Sequence, residues 1–304
     1  MLVLVNGLPF FSKRIVADLN TFDSQNKYVF FNTYYSRWEQ IKFLICLPFR
    51  SAVISFNGVS DNSNSLNWVL RLKKTLVMQW HGTDVSLAVG REKSNQLNRK
   101  YINHAKHLAS APWFAKELEN VVSHVLYAPF GYIEQVGNTE DYHQIEVLTY
   151  LGEGNERFYG WEELRHVAKE IPALKITVIG SRGDGLEQFS NVSFLGWIAE
   201  EEVIDRMKKA AIFVRMTEHD GKAISVSQAL SVGSEVIWSY AYDCCHQVAR
   251  DGNSLLDKIV ELSLLIEKRG MKPNKENMSF AQQHLLKDKV MTNYVSKLKR
   301  HLNE

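Results

Sequence analysis

The chain has 304 residues, room for two domains of ordinary size, each with its own core. Hydrophobic residues make up 45% and charged residues 23%, the balance of a folded soluble protein, and a formal net charge of +2 argues against a bulk polyanion partner. Three cysteines, two of them adjacent (Cys244 and Cys245), form no disulfide framework and no zinc spacing, so a reducing, cytoplasmic setting is expected.

The opening run, MLVLVNGLPFF, is apolar but lacks a basic leader and a small-residue cleavage site, and it is too short to span a bilayer. Residues 2–5, 28–31, 52–56, 75–79, 108–111 and 124–128 are short apolar runs that read as strands. Helices are expected between them over 13–21, 37–46, 65–72, 94–104 and 112–121. Apolar strands alternating with helices indicate a parallel sheet covered on both faces. Residues 41–49 (IKFLICLPF) are apolar with cations at Lys42 and Arg50; a buried helix end is expected, with a peripheral membrane contact as the alternative. Between Arg71 and Lys106 eight basic residues stand against two acidic ones, Asp84 and Glu92. That stretch suits either a solvated helix face or a phosphate-rich partner.

Ala128-Pro129-Phe130-Gly131 and the polar residues 137–143 read as a linker, and the alternation then restarts. Strands are expected over 146–151, 175–179, 192–195, 211–214 and 235–238, and helices over 158–170, 200–210 and 223–232. Residues 275–302 form one long helical pattern. The expected architecture is α/β, with two Rossmann-like doubly wound domains, 1–143 and 144–275, facing each other across a cleft. Residues 276–304 are expected to cross back to the first domain. Ligands of such sheets bind at the C-terminal strand ends.

The most informative segment is 215–237, RMTEHDGKAISVSQALSVGSEVI. It follows an apolar strand, and Asp220-Gly221 lead into a helix near Ala223. Unpaired N–H groups and a partial positive charge at a helix start favour a phosphate group. Gly221 permits close approach of the backbone, Asp220 can accept hydrogen bonds from sugar hydroxyls, and Gln228 can bond a ribose diol. An ordinary strand–turn–helix with Asp220 as N-cap explains the same pattern. In the first half, Trp80-His81-Gly82-Thr83-Asp84 directly follows a strand, which leaves His81 at a C-terminal strand end. A core or capping role for His81 and Asp84 is the alternative.

Asp220-Gly221, Gln228 and the following ALSVGSEVI resemble the donor-binding signature of retaining GT-B glycosyltransferases, in particular family 4. Val178-Ile179-Gly180-Ser181, Phe194-Leu195-Gly196-Trp197-Ile198 and Arg250-Asp251-Gly252-Asn253 match further motifs of that family, so the likeness runs over about residues 145–255. In the family the first acid contacts the transferred sugar and the second the nucleotide ribose; here these positions are Asp220 and Gln228, both departing from the usual Glu. The family's diphosphate-neutralising Lys position is Tyr159, so Arg157, Arg182 or Lys222 would have to substitute. His81 matches a His-Gly-x-Asp element whose His lies near the transferred sugar, and Asn6-Gly7-Leu8-Pro9 weakly resembles the first acceptor-side loop.

The resemblance thus implies a metal-independent, retaining hexosyltransferase of polysaccharide biosynthesis. Its donor would be a nucleotide diphosphate sugar, UDP- or GDP-linked, with no other cofactor. His81 and Asp220 would serve at the reacting centre. Gly152, Arg157, Gly180, Arg182, Trp197, Gly221, Lys222, Ala223, Ile224 and Gln228 would hold the donor. No Asp-x-Asp motif is present, and Glu218-His219-Asp220 does not make a metal site. The acceptor would be a glycan or lipid-linked precursor of cell-surface polysaccharide or lipopolysaccharide, met in the cytoplasm or at the inner face of the membrane. The alternatives are a phage-type DNA glucosyltransferase that uses the basic stretch on DNA phosphates, a sugar-nucleotide-binding or scaffold protein with weak catalysis, and an epimerase on the same fold.

Overall fold

The computed structural model describes residues 1–7, 9–58 and 62–303. The chain forms two compact units, Met1–Gly131 with Lys287–Glu304, and Tyr132–Leu286. The first boundary falls at 131/132 instead of 143/144 because the polar stretch beyond it is bonded into the second unit. Gly137 N–H donates to the Ser231 carbonyl (3.1 Å), Tyr142 N–H to the Met271 carbonyl (2.7 Å), and the Tyr142 hydroxyl to the Gly233 carbonyl (3.0 Å).

In the first unit the elements run β1 (Leu2–Gly7), α1 (Pro9–Phe22), β2 (Lys27–Phe31), α2 (Arg37–Cys46) with a 3-10 turn (Leu47–Phe49), β3 (Ala52–Phe56) and α3 (Asn64–Arg71). Then follow β4 (Thr75–Trp80), α4 (Thr83–Lys93), α5 (Arg99–Ile102), β5 (Ala105–Ala109), α6 (Phe114–Glu117) and β6 (Leu126–Tyr127). The strands form a parallel sheet ordered β2-β1-β3-β4-β5-β6. Its order reverses between β1 and β3, so a ligand crevice is expected outside Gly7 and Phe56. The central strands carry apolar side chains on both faces; Val53, Ile54, Val77, Met78 and Trp80 are fully buried.

The helix expected over 94–104 is instead α4, one turn-signal earlier, followed by a turn and the short α5. Asp84 in the first turn of α4 accepts backbone N–H bonds from His81, Gly82 and Val85 that set the turn starting the helix, and Asn95 at φ 54° ends it. Residues 41–49 are not wholly a buried helix end: Ile41, Ile45 and Phe49 are exposed, while Phe43 and Leu47 are buried and Leu44 and Cys46 pack partly against the core. Leu8, within the weakly matched acceptor-side loop, lies outside the described residues.

In the second unit the order is β7 (Glu146–Tyr150), α7 (Trp161–Glu170), β8 (Lys175–Ile179), β9 (Val192–Phe194), α8 (Glu200–Lys209) and β10 (Ile212–Arg215). It continues with α9 (Ile224–Ser231), β11 (Glu235–Trp238), β12 (Cys245–Gln247), α10 (Gly252–Lys268) and α11 (Lys275–His284). This sheet is also parallel, ordered β12-β11-β10-β7-β8-β9, and its order reverses between β10 and β7. The expected ligand crevice therefore lies outside Arg215 and Tyr150.

The long helical pattern over 275–302 is two helices. Leu285 ends α11, the Ile133 N–H takes the Leu285 carbonyl (3.0 Å), and Leu286 forms a β-bridge with Ile133. α12 (Lys287–Asn303) then belongs to the first unit, where Lys287 pairs with Asp18 and Lys299 with Asp23, each at 2.9 Å. Among the described residues no helix is long and apolar enough to cross a membrane.

Candidate active site

At the reversal point of the second sheet the residues after β7, β8, β9 and β10 converge. Gly180, at φ 87°, donates to the Gly196 carbonyl (2.8 Å) and accepts from Glu153 N–H (3.1 Å), which ties three strand-end loops together. A Cβ at Gly180 would lie 2.7 Å from the Leu151 carbonyl oxygen, and one at Gly152 would lie 2.6 Å from the Tyr159 ring, so both positions require glycine. Glu156 braces the same loop: its Oε1 accepts from the Ser181 hydroxyl (2.6 Å) and Gly154 N–H (3.0 Å). Burial pushes its carboxyl up, but these hydrogen bonds hold it below the ordinary range.

Arg215, the last residue of β10, grips Asp220 at two points, Nε to Oδ2 at 2.5 Å and Nη2 to Oδ1 at 3.1 Å. The guanidinium lies 5.8 Å from the centre of the Tyr150 ring and 5.7 Å from that of Tyr159. Burial opposes its charge, but the Asp220 carboxylate outweighs burial and holds Arg215 above its ordinary value. The Asp220 N–H is 3.3 Å from the Tyr240 hydroxyl. Asp220 is therefore not the N-cap of α9. Ala223 takes that position with no side-chain cap bond, so the N–H groups of the first turn meet no capping side chain.

Lys222 stands between Asp220 and α9, with its Nζ 5.7 Å from the centre of the Tyr242 ring. Burial pushes its amine down to about 8. Trp197 is 72% exposed and meets the edge of Tyr150 at 6.1 Å, a flat apolar face at the rim of the crevice. Gln228 on α9 lies within 3.5 Å of the Glu200 carboxylate at the start of α8. Arg157 and Arg182 are exposed. Arg157 offers its carbonyl to Arg250 (3.1 Å), and Arg250 also reaches Glu163 and Glu218, each at 3.4 Å. Arg250 thereby links the loop after β7 to the loop after β10. A recess of about 480 Å³ opens beside these loops, lined by Thr217, Glu218, Tyr240 and Arg250.

Sequence reasoning gave no role to Arg215, Tyr150 or Glu200, and met Arg250 only as part of a family-like turn. The signal for Arg215 was present: a charged residue closing an apolar strand, five positions before an acid, has few reasons to be buried except a partner.

In the first unit His81 follows β4. Its ring stacks on Phe56 (5.4 Å, 25°) and meets Phe130 edge-on (5.1 Å, 90°), which puts it beside the sheet's reversal point. Asp84 shapes the turn: Oδ1 accepts N–H bonds from His81 (2.9 Å), Gly82 (2.9 Å) and Val85 (3.0 Å), and Oδ2 from Gly58 (3.0 Å). Burial lowers the His81 imidazole below its ordinary value, with Asp84 opposing, so the ring is neutral near pH 7. A second recess, about 500 Å³, is lined by Arg99, Lys106, His124 and His301 at the N-terminal end of β5 and so lies at the other end of the sheet from His81.

The basic stretch from Arg71 to Lys106 is largely engaged within the fold. Arg71 covers the Trp68 ring, Lys74 donates to the Pro48 carbonyl, Arg99 to the Val121 and Asn120 carbonyls, and Lys106 to the His301 carbonyl.

No family model matches the chain, and no curated protein matches it in sequence. Solved structures match in fold. The pneumococcal O-GlcNAc transferase GtfA, in complex with UDP and GlcNAc, is 9% identical with a TM-score of 0.60 over 86% of this chain. The chain spans 60% of that protein's length. The Anabaena protein HepE, in complex with UDP and glucose, is 11% identical (TM-score 0.68; 99% of this chain, 100% of HepE). An α-glucosyltransferase in complex with UDP and a 13-mer DNA is 10% identical (TM-score 0.64; 100% of each chain). At these identities the likeness is one of fold: two parallel six-stranded α/β sheets of the GT-B type.

Proposed function

We propose that this protein is a retaining, metal-independent glycosyltransferase that moves a sugar from a nucleotide diphosphate sugar to a hydroxyl acceptor. The observation that carries the reading is the Arg215–Asp220 pair beside the start of α9, with Lys222 between them. It sets a fixed carboxylate, a poised cation and side-chain-free N–H donors next to one another at the sheet's reversal point.

In this reading the diphosphate sits at the first turn of α9, against the backbone of Ala223 and Ile224, with Lys222 as its cation. Asp220 and the Gly221 backbone hold the transferred sugar. Trp197 covers the base, and Gln228 with Glu200 holds the ribose diol. Gly152 and Gly180 let the backbone approach the donor, and Arg157 and Arg182 add positive charge at the rim. Neutral His81, at a C-terminal strand end of the first unit, serves the acceptor hydroxyl in this reading. Catalysis comes from positioning and from stabilising the leaving diphosphate; no protein nucleophile is assigned.

UDP is favoured over GDP because the three solved structures named above hold UDP. The acceptor we propose is a glycan or lipid-linked precursor of a cell-surface polysaccharide, met in the cytoplasm. A DNA acceptor is the second reading, favoured by the neighbour that holds DNA. Incubation of the protein and a UDP-sugar with glycan acceptors or duplex DNA distinguishes them: the first reading expects label in glycan alone. Label in DNA would replace it, and label in neither, with donor still bound, would return the chain to a sugar-nucleotide-binding role.

A further inference from the structure

We propose that the outer face of α2 and the 3-10 turn that follows it is a docking surface for an anionic lipid bilayer. Trp38, Ile41, Ile45 and Phe49 are 64%, 48%, 65% and 77% exposed. At about 100° per residue Trp38, Ile41 and Ile45 fall within an arc of roughly 60° on α2, and Phe49 in the 3-10 turn extends the exposed apolar stripe beyond the helix end. The opposite face already supplies the core contact: Phe43 and Leu47 are fully buried, and Phe43 meets Phe31 edge-on at 5.9 Å. The helix is therefore apolar both toward the core and toward solvent. Large apolar side chains held in a contiguous exposed row mark an interaction surface.

The charge around the stripe names the occupant. Arg37, Lys42 and Arg50 flank it, and Lys74 joins them where its Nζ bonds the Pro48 carbonyl (2.9 Å). Glu39 is the one acid within residues 34–50, and Lys42 pairs with it at 3.0 Å. Lys42 Nζ also lies 5.7 Å from the centre of the Trp38 ring. An apolar row with Trp, edged by cations on flexible stems, matches the boundary between acyl chains and anionic headgroups. A second copy of this chain fits less well, because a two-fold contact through the stripe would bring two cation-edged surfaces together, with Glu39 alone to offset Arg37, Lys42 and Arg50 on each. The surface is separate from the donor residues, so this proposal stands or falls apart from the transferase reading.

Flotation of the full chain with phosphatidylcholine vesicles, with and without phosphatidylglycerol, tests it. Two variants are compared with wild type: Trp38→Ser/Ile45→Ser/Phe49→Ser, which removes the stripe, and Lys42→Glu/Arg50→Glu, which keeps it and reverses the charge. Wild type is expected to float with the phosphatidylglycerol vesicles, and each variant to bind about tenfold or more weakly. Thermal unfolding of the triple-Ser variant is expected to match wild type, since Trp38, Ile45 and Phe49 are largely exposed. The charge-reversed variant gives up the Lys42–Glu39 pair and the half-buried Arg50, and is compared at a temperature where it and wild type are both folded. Wild type left unbound by both vesicle types would overturn the proposal, as would a triple-Ser variant that binds like wild type. Equal binding to neutral vesicles would overturn the anionic preference. A wild-type dimer that the triple-Ser variant dissociates would show the stripe to be covered by a second copy instead.

Discussion

Arg215 and Asp220 close a two-point ion pair at the end of β10, with both side chains only about a tenth exposed. The pair fixes in place the carboxylate that the proposed site needs. Removing the cation strands a buried carboxylate. Arg215→Met is therefore expected to cost about 3 kcal/mol in denaturant unfolding and to weaken donor binding. Arg215→Met/Asp220→Asn should regain part of the stability and none of the binding. Recovery of binding in the double variant would show that the pair serves the fold alone.

Lys222 makes donor binding depend on pH. Its amine titrates at about 8, well below the ordinary 10.5, because burial disfavours the charged form. A bound diphosphate favours that charged form, so donor affinity should fall as pH rises through about 8, and Lys222→Arg should flatten the dependence. The stability sign is opposite. The unfolded chain holds the proton up to 10.5, so the penalty on the fold is full below about 8 and eases as pH rises toward 10.5. Lys222→Met should accordingly raise the unfolding temperature near neutral pH while weakening donor binding. Calorimetric titrations and melting curves across this range check both signs.

Asp84 holds the His81 turn through four backbone N–H groups. Asp84→Ala should cost about 2 kcal/mol or more and lower kcat by displacing His81, with donor affinity unchanged. His81→Ala should lower kcat with donor affinity likewise unchanged, at a packing cost of its own because the ring fills the space between Phe56 and Phe130. Equal loss of donor affinity in either variant would contradict a role for His81 away from donor binding.

Trp197 contributes little to the fold because most of its ring is exposed. Trp197→Ala should weaken nucleotide binding by about 1–3 kcal/mol, the range of base–aromatic stacking, and leave the melting temperature unchanged. Binding of free UDP, measured by calorimetry, checks this directly.

The two sheets were legible because buried parallel strands are short apolar runs, such as 52–56 and 211–214, that have few other uses. α2 was expected over the residues it occupies, 37–46; Ser36, which was not singled out, caps it with a hydroxyl that accepts from Glu39 N–H. The orientation of α2 was not legible, because a helix apolar on two sides does not say which side meets the core. The 17-residue α10 was given no element at all. Yet Leu255, Ile259, Leu262 and Ile266, all buried, carry helical spacing, and Asp251 caps the first turn through Ser254 N–H (2.8 Å). The split between α11 and α12 was hidden because the pairing of Ile133 with Leu285 and Leu286 is long-range. At the candidate site, Asp220, Gly221 and Lys222 could be read from local order. Their setting could not, since the pairing of Asp220 with Arg215 and of Gln228 with Glu200 depends on how strand ends meet.

The central claim is that the second unit holds a nucleotide diphosphate sugar against Asp220 and the start of α9. The most direct test is calorimetric titration of wild type and Asp220→Ala with UDP-, GDP-, ADP- and dTDP-sugars. The account predicts saturable binding of one nucleotide sugar, UDP-linked first among them, that weakens by about tenfold or more in the variant. Well-folded wild type that binds none of them, or a variant that binds as tightly as wild type, would contradict it.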